Sequence, residues 1–238
     1  MNVTGALAAI VESPLFGIGL TLTVFWVAQQ VWERTGRHAS ANPVLVAMAL
    51  GAIAITVLGT TYEQYLEGAR FIGFLLGPAT VALALPLHRQ AAQVRKAAPM
   101  VLGGVTVGSA VGIASGYLLT AWAGGTREMA LSMAPKSVTT PISLALSEAV
   151  GGIPPLSVVF TIVAGVVGAV LGPWILDLVR VTDQRARGLA IGVSSHGIGT
   201  TRALQEDETA GAFSGLAMGL GGLVTSLLIG GVLGALGV

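Results

Sequence analysis

Cysteine is absent from this 238-residue chain, and charge is scarce, with 10% of residues Asp, Glu, Lys or Arg. The missing cysteine excludes disulfides, thiolate metal sites and a cysteine nucleophile. Soluble proteins carry about 25% charged residues, so the shortage of charge excludes a soluble globular domain. Twelve basic against eleven acidic residues leave a net charge of +1, without the basic face that nucleic-acid binding requires. Nucleic acid is therefore not an expected partner. Also missing are an H-E-x-x-H metal pair, a G-x-S-x-G elbow and a phosphate-cradling G-x-x-x-x-G-K-[ST] loop. No metal, cofactor or enzymatic activity is expected. The remaining hydrolase option pairs Ser115 or Ser195 with His196, but no third orienting group is apparent and adjacent Ser195 and His196 are poorly placed to meet. The first twelve residues lack the basic start of a secretory signal, so the first apolar segment is expected to be kept as a membrane helix.

What is present is apolar: 53% hydrophobic residues and a mean hydropathy of +0.82. A helix needs about 20 apolar residues to cross a bilayer core. That length predicts an all-α polytopic bundle of about eight membrane segments, near 13–32, 43–60, 68–87, 99–122, 128–147, 155–179, 187–204 and 212–237. The short loops predict one integral membrane domain over 1–238. Thirty-four glycines and ten prolines lie within these runs and point to close helix packing and broken helices.

Arg34 and Arg37 follow the first segment, and Arg89, Arg95 and Lys96 the third, which places both loops on the cytoplasmic side. Eight full crossings would then put Arg180, Arg185 and Arg187 outside, against the same rule. The conflict disappears if 128–147 is re-entrant or incomplete. A weak repeat points to the same region: Pro78-Ala79-Thr80-Val81 and Pro135-Lys136-Ser137-Val138 share P-x-[ST]-V at an offset of 57, which also carries Gly108 onto Gly165. The stripes Gly104, Gly108, Gly112, Gly116 and Thr161, Gly165, Ala169, Pro173 follow, spaced for close helix contact. Duplicated halves with paired interrupted helices are a transporter pattern.

Three stretches carry candidate chemistry. In Ala134–Ser143, Pro135 and Pro141 each remove a backbone donor and break the helix, serving as hinges. A charge at bilayer depth costs roughly 2.5–3.5 kcal/mol on insertion scales, so Lys136 faces a partner, a cavity or a substrate. With Ser137, Thr139, Thr140 and the positive ends of half-helices, it would suit a small carboxylate. The alternative is a lysine that snorkels to an interface while the hydroxyls bond their own helix. In Ser194–Arg202, Gly197 and Gly199 are candidate hinges, and Ser195, His196, Thr200 and Arg202 candidate ligands. His196 could take up a proton and Arg202 grip a carboxylate. Equally, His196 could cap backbone groups, and Arg202, close to Glu206, Asp207 and Glu208, could mark a loop end. The third stretch, Gly77, Pro78 and Thr80, is the uncharged echo of the lysine motif, and its reading depends on the repeat.

LLGPATVALALPLHRQ from Leu75, APKSVTTPIS from Ala134, SSHGIGTTRAL from Ser194 and GAFSGLAMGL from Gly211 resemble the LrgB/CidB family of membrane proteins. Relatives often place Ala-Ser or Thr-Ala before the histidine, so Ser194 departs from the pattern. The resemblance implies a bacterial cytoplasmic (inner) membrane and one of two roles. One is antiholin-like control of murein hydrolases and lysis beside an LrgA/CidA-type membrane partner. The other is carriage of small monocarboxylates of the pyruvate, glycolate and glycerate class. A regulator has no need of lysine, histidine and arginine in broken helices, so the carrier is the expected function. The expected partners are a small carboxylate, the lipid bilayer, an LrgA/CidA-type protein and further copies of the chain.

Overall fold

The computed structural model describes residues 15–36, 41–75 and 91–238, together with Ser13, Pro78 and His88. Gly77, Thr80 and most of the segment expected at 68–87 lie outside the described residues; Pro78 is helical and exposed. Every long element among the described residues is an α-helix, and three helices are long and apolar enough to cross a membrane. The chain divides into two compact units, Met1–Ala82 and Leu83–Val238.

The first unit contains α1 (Phe16–Arg34), α2 (Pro43–Val57) and α3 (Tyr62–Phe74), with α1 packed on both others. Asn42 caps α2 by accepting from the Val44 and Leu45 N–H groups. A capping box of Thr61 and Gln64 starts α3 well before the expected 68. Gly17 lets α1 lie directly on the backbone of Tyr65 and Ala69, and Thr21 bonds the Tyr65 hydroxyl at 2.8 Å.

The second unit starts with the short α4 (Ala91–Lys96) and is framed by three long helices: α5 (Ala98–Trp122), α8 (Pro154–Leu178) and α10 (Glu208–Ala235). Between α5 and α8 lies a broken element, α6 (Arg127–Met133) and α7 (Thr140–Ala149), joined by the turn 134–139. Between α8 and α10 lies α9 (Gln184–Glu206), whose helical geometry fails at His196, with φ 41° and ψ −135°. Few non-glycine residues adopt a positive φ, and here it reverses the chain.

Both broken elements double back. Along a straight helix residues 187 and 206 would stand about 28 Å apart. Instead Arg187 Nη2 lies 3.8 Å from the Glu206 carboxylate. The first arm of α9 follows α10 in the same direction, Gly188 against Ala210 and Gly192 against Ser214. Its second arm runs the other way, with Leu204 on Gly211 and Thr200 bonded to Ser214 at 2.9 Å. In the earlier element Ser132 and Ser147, about 22 Å apart on a straight helix, both crowd Gly152. Gly151, at φ 82°, turns the chain into α8.

The neighbours of these hairpins fix direction. Gly104 and Gly108 of α5 meet Leu189 and Val193 in rising order, so α5 runs with the first arm of α9. Gly165, Gly168 and Gly172 of α8 meet His196, Ser195 and Ile191 in falling order, so α8 runs against it. The hairpins therefore enter from opposite ends of the long helices, and their tips lie against the middles of α5 and α8. The lengths repeat as well: α5 and α8 have 25 residues each, and the offset of 57 that relates the P-x-[ST]-V motifs carries 127–149 onto 184–206.

Candidate functional site

The first tip is built by its two prolines. Pro135 opens a turn in which the Lys136 and Val138 N–H groups bond the carbonyls of Met133 and Pro135. Pro141 then sits in the first turn of α7, where its missing donor costs nothing, with Thr139 as N-cap residue. The turn aims Lys136 at α5, where its Nζ donates to the Gly112 carbonyl at 2.8 Å, close to the midpoint of that helix. Glycine is required on this face. A Cβ at Gly116 would stand 2.7 Å from the Met133 carbonyl and 3.0 Å from Nζ, and one at Gly112 would press on Ser137. Among the described residues no carboxylate lies within ion-pair distance of Lys136, and the Gly112 bond leaves two of its three donors for a ligand.

At the second tip Ser194 and Ser195 share a hydrogen bond of 2.9 Å. Gly168 allows Ser195 to lie against the backbone of α8, and Gly165 does the same for the His196 ring. His196 is buried, and its Nε2–H donates to the Thr161 carbonyl at 2.9 Å. Thr161 also donates its hydroxyl to Ser143 at 2.7 Å, and Ser143 bonds Ser157 at 2.6 Å. Thr161 thus ties the second arm of the first hairpin to the tip of the second. At the base, Asp183 caps α9 and accepts from Arg185, whose guanidinium holds the Asp183 carboxyl down at about 2. That cap stays ionised at any physiological pH.

The two tips share one cavity of about 980 Å³. Lys136 and Ser137 reach it from the first hairpin, Ser194 and Ser195 from the second, and Ser115 from α5. Of the other residues singled out in the sequence, Thr139 and Thr140 belong to the first tip but do not line this space. His196 and Thr200 turn away from it, towards α8 and α10. Arg202 stands near the base of the second hairpin, paired with Glu206 at 3.0 Å, one turn further along. Pro135 and Pro141 bound the first break; Gly197 follows the second, and Gly199 packs its arms together against Ser195 and Ile191. Sequence reasoning did not place Ser194 or the Gly112 carbonyl in a site. The signal for Gly112 was its place in the four-residue glycine stripe.

Among the described residues, long apolar helices, two doubled-back broken elements and a lysine near the middle of α5 with no carboxylate partner define a helical membrane protein with a polar site inside it. The chain matches the LrgB-like family over residues 21–234, and it belongs to that family. It is 39% identical over 178 residues to Uncharacterized protein YxaC of Bacillus subtilis (strain 168), covering 75% of this chain and 77% of that one. It is 36% identical over 209 residues to an uncharacterized protein of Haemophilus influenzae, covering 88% and 90%. With the Antiholin-like protein LrgB of Bacillus mycoides (strain KBAB4) it shares 31% over 217 residues, covering 91% and 94%. No solved structure matches.

Proposed function

We propose that this protein is a carrier of small monocarboxylates, of the pyruvate, glycolate and glycerate class, and that both hairpins are re-entrant in the membrane. The observation that carries the proposal is Lys136, half-buried near the midpoint of α5, without a carboxylate partner among the described residues and lining a cavity with four serines. A cation so placed is expensive unless it serves an ion or substrate. One carboxylate would satisfy its free donors and the nearby hydroxyls together. The second arms of both hairpins begin at the tips, so their positive helix ends lie near the same depth, the arrangement in which broken-helix transporters hold anions.

Arm lengths support re-entrance. Gln184–Ser195 rises about 18 Å and Gly197–Glu206 about 15 Å, half of a hydrocarbon core of about 30 Å. Re-entrance also removes the charge conflict. With one crossing in α5 and one back in α8, Arg95 and Lys96 fall on the same side as Arg180, Arg185 and Arg187, as the positive-inside rule requires. The test is uptake of labelled pyruvate, glycolate or glycerate by proteoliposomes. Saturable uptake above protein-free vesicles supports the carrier; absence of uptake for all three removes it.

A second reading is antiholin-like regulation, which the name of the Bacillus mycoides relative supports. The glycines that serve it are not those of the 104–116 stripe, because Gly104, Gly108, Gly112 and Gly116 pack within the unit. Gly230 and Gly234 of α10 are four residues apart and exposed, with open space where a Cβ would lie. Such a pair can seat another membrane helix. Replacing both with leucine is expected to abolish co-purification of an LrgA/CidA-type partner without changing carboxylate uptake. Unchanged co-purification would remove that surface from the reading.

A further inference from the structure

The cavity that holds the two tips is much larger than a three-carbon acid. At about 980 Å³ it matches the upper end of sites for drug-sized ligands, roughly 300–1,000 Å³. Its polar side chains are gathered at one end: Lys136, Ser137, Ser115, Ser194 and Ser195. From there the cavity continues along α5 over the first arm of α9, ending at Met100 and Ala186. From Gly112 to Met100 that is about 18 Å along α5. This stretch is lined by valine, leucine, alanine, glycine and methionine, with no polar side chain below Ser194. Leu189 and Val193 form its floor, and its α5 rim, Val107 and Val111, is exposed; Val163 and Val167 of α8, exposed as well, flank the tips, since Gly165 and Gly168 meet His196 and Ser195. A hydrophilic anion gains nothing from such a lining, whereas an alkyl chain leaves water there at a gain that grows with each methylene.

We infer that this groove binds the apolar tail of the substrate, so that the monocarboxylates favoured by this chain carry an alkyl chain, the head at Lys136 and the tail lying over Leu189 and Val193 towards Met100. The inference rests on the carrier reading for the head and adds the tail. It also gives the open rim a use: the tail can enter sideways from the bilayer while the carboxylate travels to the tips.

The test is binding of acetate, butyrate, hexanoate and octanoate to the purified protein in detergent, beside octylamine, which has the tail without the carboxylate. Affinity is expected to rise roughly four-fold per methylene along the acids, following the transfer free energy of a CH₂ group. Octylamine is expected not to compete. In Ala190→Phe, whose ring fills the groove one turn below Ser194, octanoate should bind no more tightly than butyrate. Equal affinity of the wild type for all four acids overturns the inference and needs no variant. So does a chain-length gain that survives both Ala190→Phe and Lys136→Met, which would mark partition into detergent. If pyruvate uptake depends on Lys136 while chain length has no effect, the carrier stands and the tail groove fails. If the acids bind with the expected gain but no carboxylate is taken up, the groove stands and the carrier fails.

Discussion

Lys136→Met is expected to abolish carboxylate uptake while leaving the protein as stable as before or more so. The two effects have one cause. A hydrogen bond to a charged group contributes about 1.5–3 kcal/mol, so losing the ammonium weakens carboxylate binding by roughly ten- to a hundred-fold. The same change removes a charge whose placement at depth costs roughly 2.5–3.5 kcal/mol. No carboxylate is orphaned, since none among the described residues pairs with Lys136, and the Gly112 carbonyl keeps its place in the α5 helix. Methionine has nearly the reach of lysine and fills the same space. Lost uptake with an unchanged or raised melting temperature would mark the charge as one retained for a substrate; lost uptake with a fall in melting temperature would mark it as structural.

Gly192→Val should have the largest effect on folding. A Cβ at position 192 falls on the Ser214 carbonyl, 2.8 Å from its Cα and 2.9 Å from the Ala217 Cβ. These are mainly backbone atoms of a long helix, so relief requires moving α10 away from the first arm of α9. Overpacking of this kind costs typically 1–3 kcal/mol and more when backbone must shift. At 2–4 °C per kcal/mol, a drop in melting temperature of about 10 °C is expected, with a lower yield of folded protein. Gly219→Val is the control, a mid-helix glycine of α10 where nothing lies within 4 Å of the added Cβ. A similar loss in both variants would mean that helix propensity, not the α9 contact, was responsible.

The sequence disclosed the breaks more readily than their geometry. Two prolines around Lys136 announce a broken helix, and the turn 134–139 is where they place it. The run of serine, histidine and glycine near 196 announces a second break, which takes the form of one positive φ at His196. Whether a break bends a helix or reverses it depends on contacts far away in the chain, such as Gly188 on Ala210 or Arg187 near Glu206. Local propensity carries no trace of them. The offset of 57 and the misplaced positive loop were the indirect traces, since two hairpins of equal length leave both. Arg202 could have been assigned from spacing alone, because Glu206 stands one helical turn away, the ordinary distance for a pair on the same face. That Lys136 and Ser195 share a cavity while His196 turns to Thr161 follows from how α8 packs, where Gly165 and Gly168 admit two adjacent residues on different sides.

Everything proposed for the site depends on two hairpins entering the membrane from opposite sides, and single cysteines test this directly because the native chain has none. Cysteine would be placed at the exposed residues Arg127 and Ala149, the ends of the first hairpin, and at Thr182 and Gln205, beside the ends of the second. Each variant would be labelled with an impermeant maleimide from one side of sealed, oriented vesicles. The account predicts that Arg127 and Ala149 react from one side, and Thr182 and Gln205 from the other. Labelling of Thr182 and Gln205 from opposite sides would make α9 a span, separate the tips and contradict the proposed site.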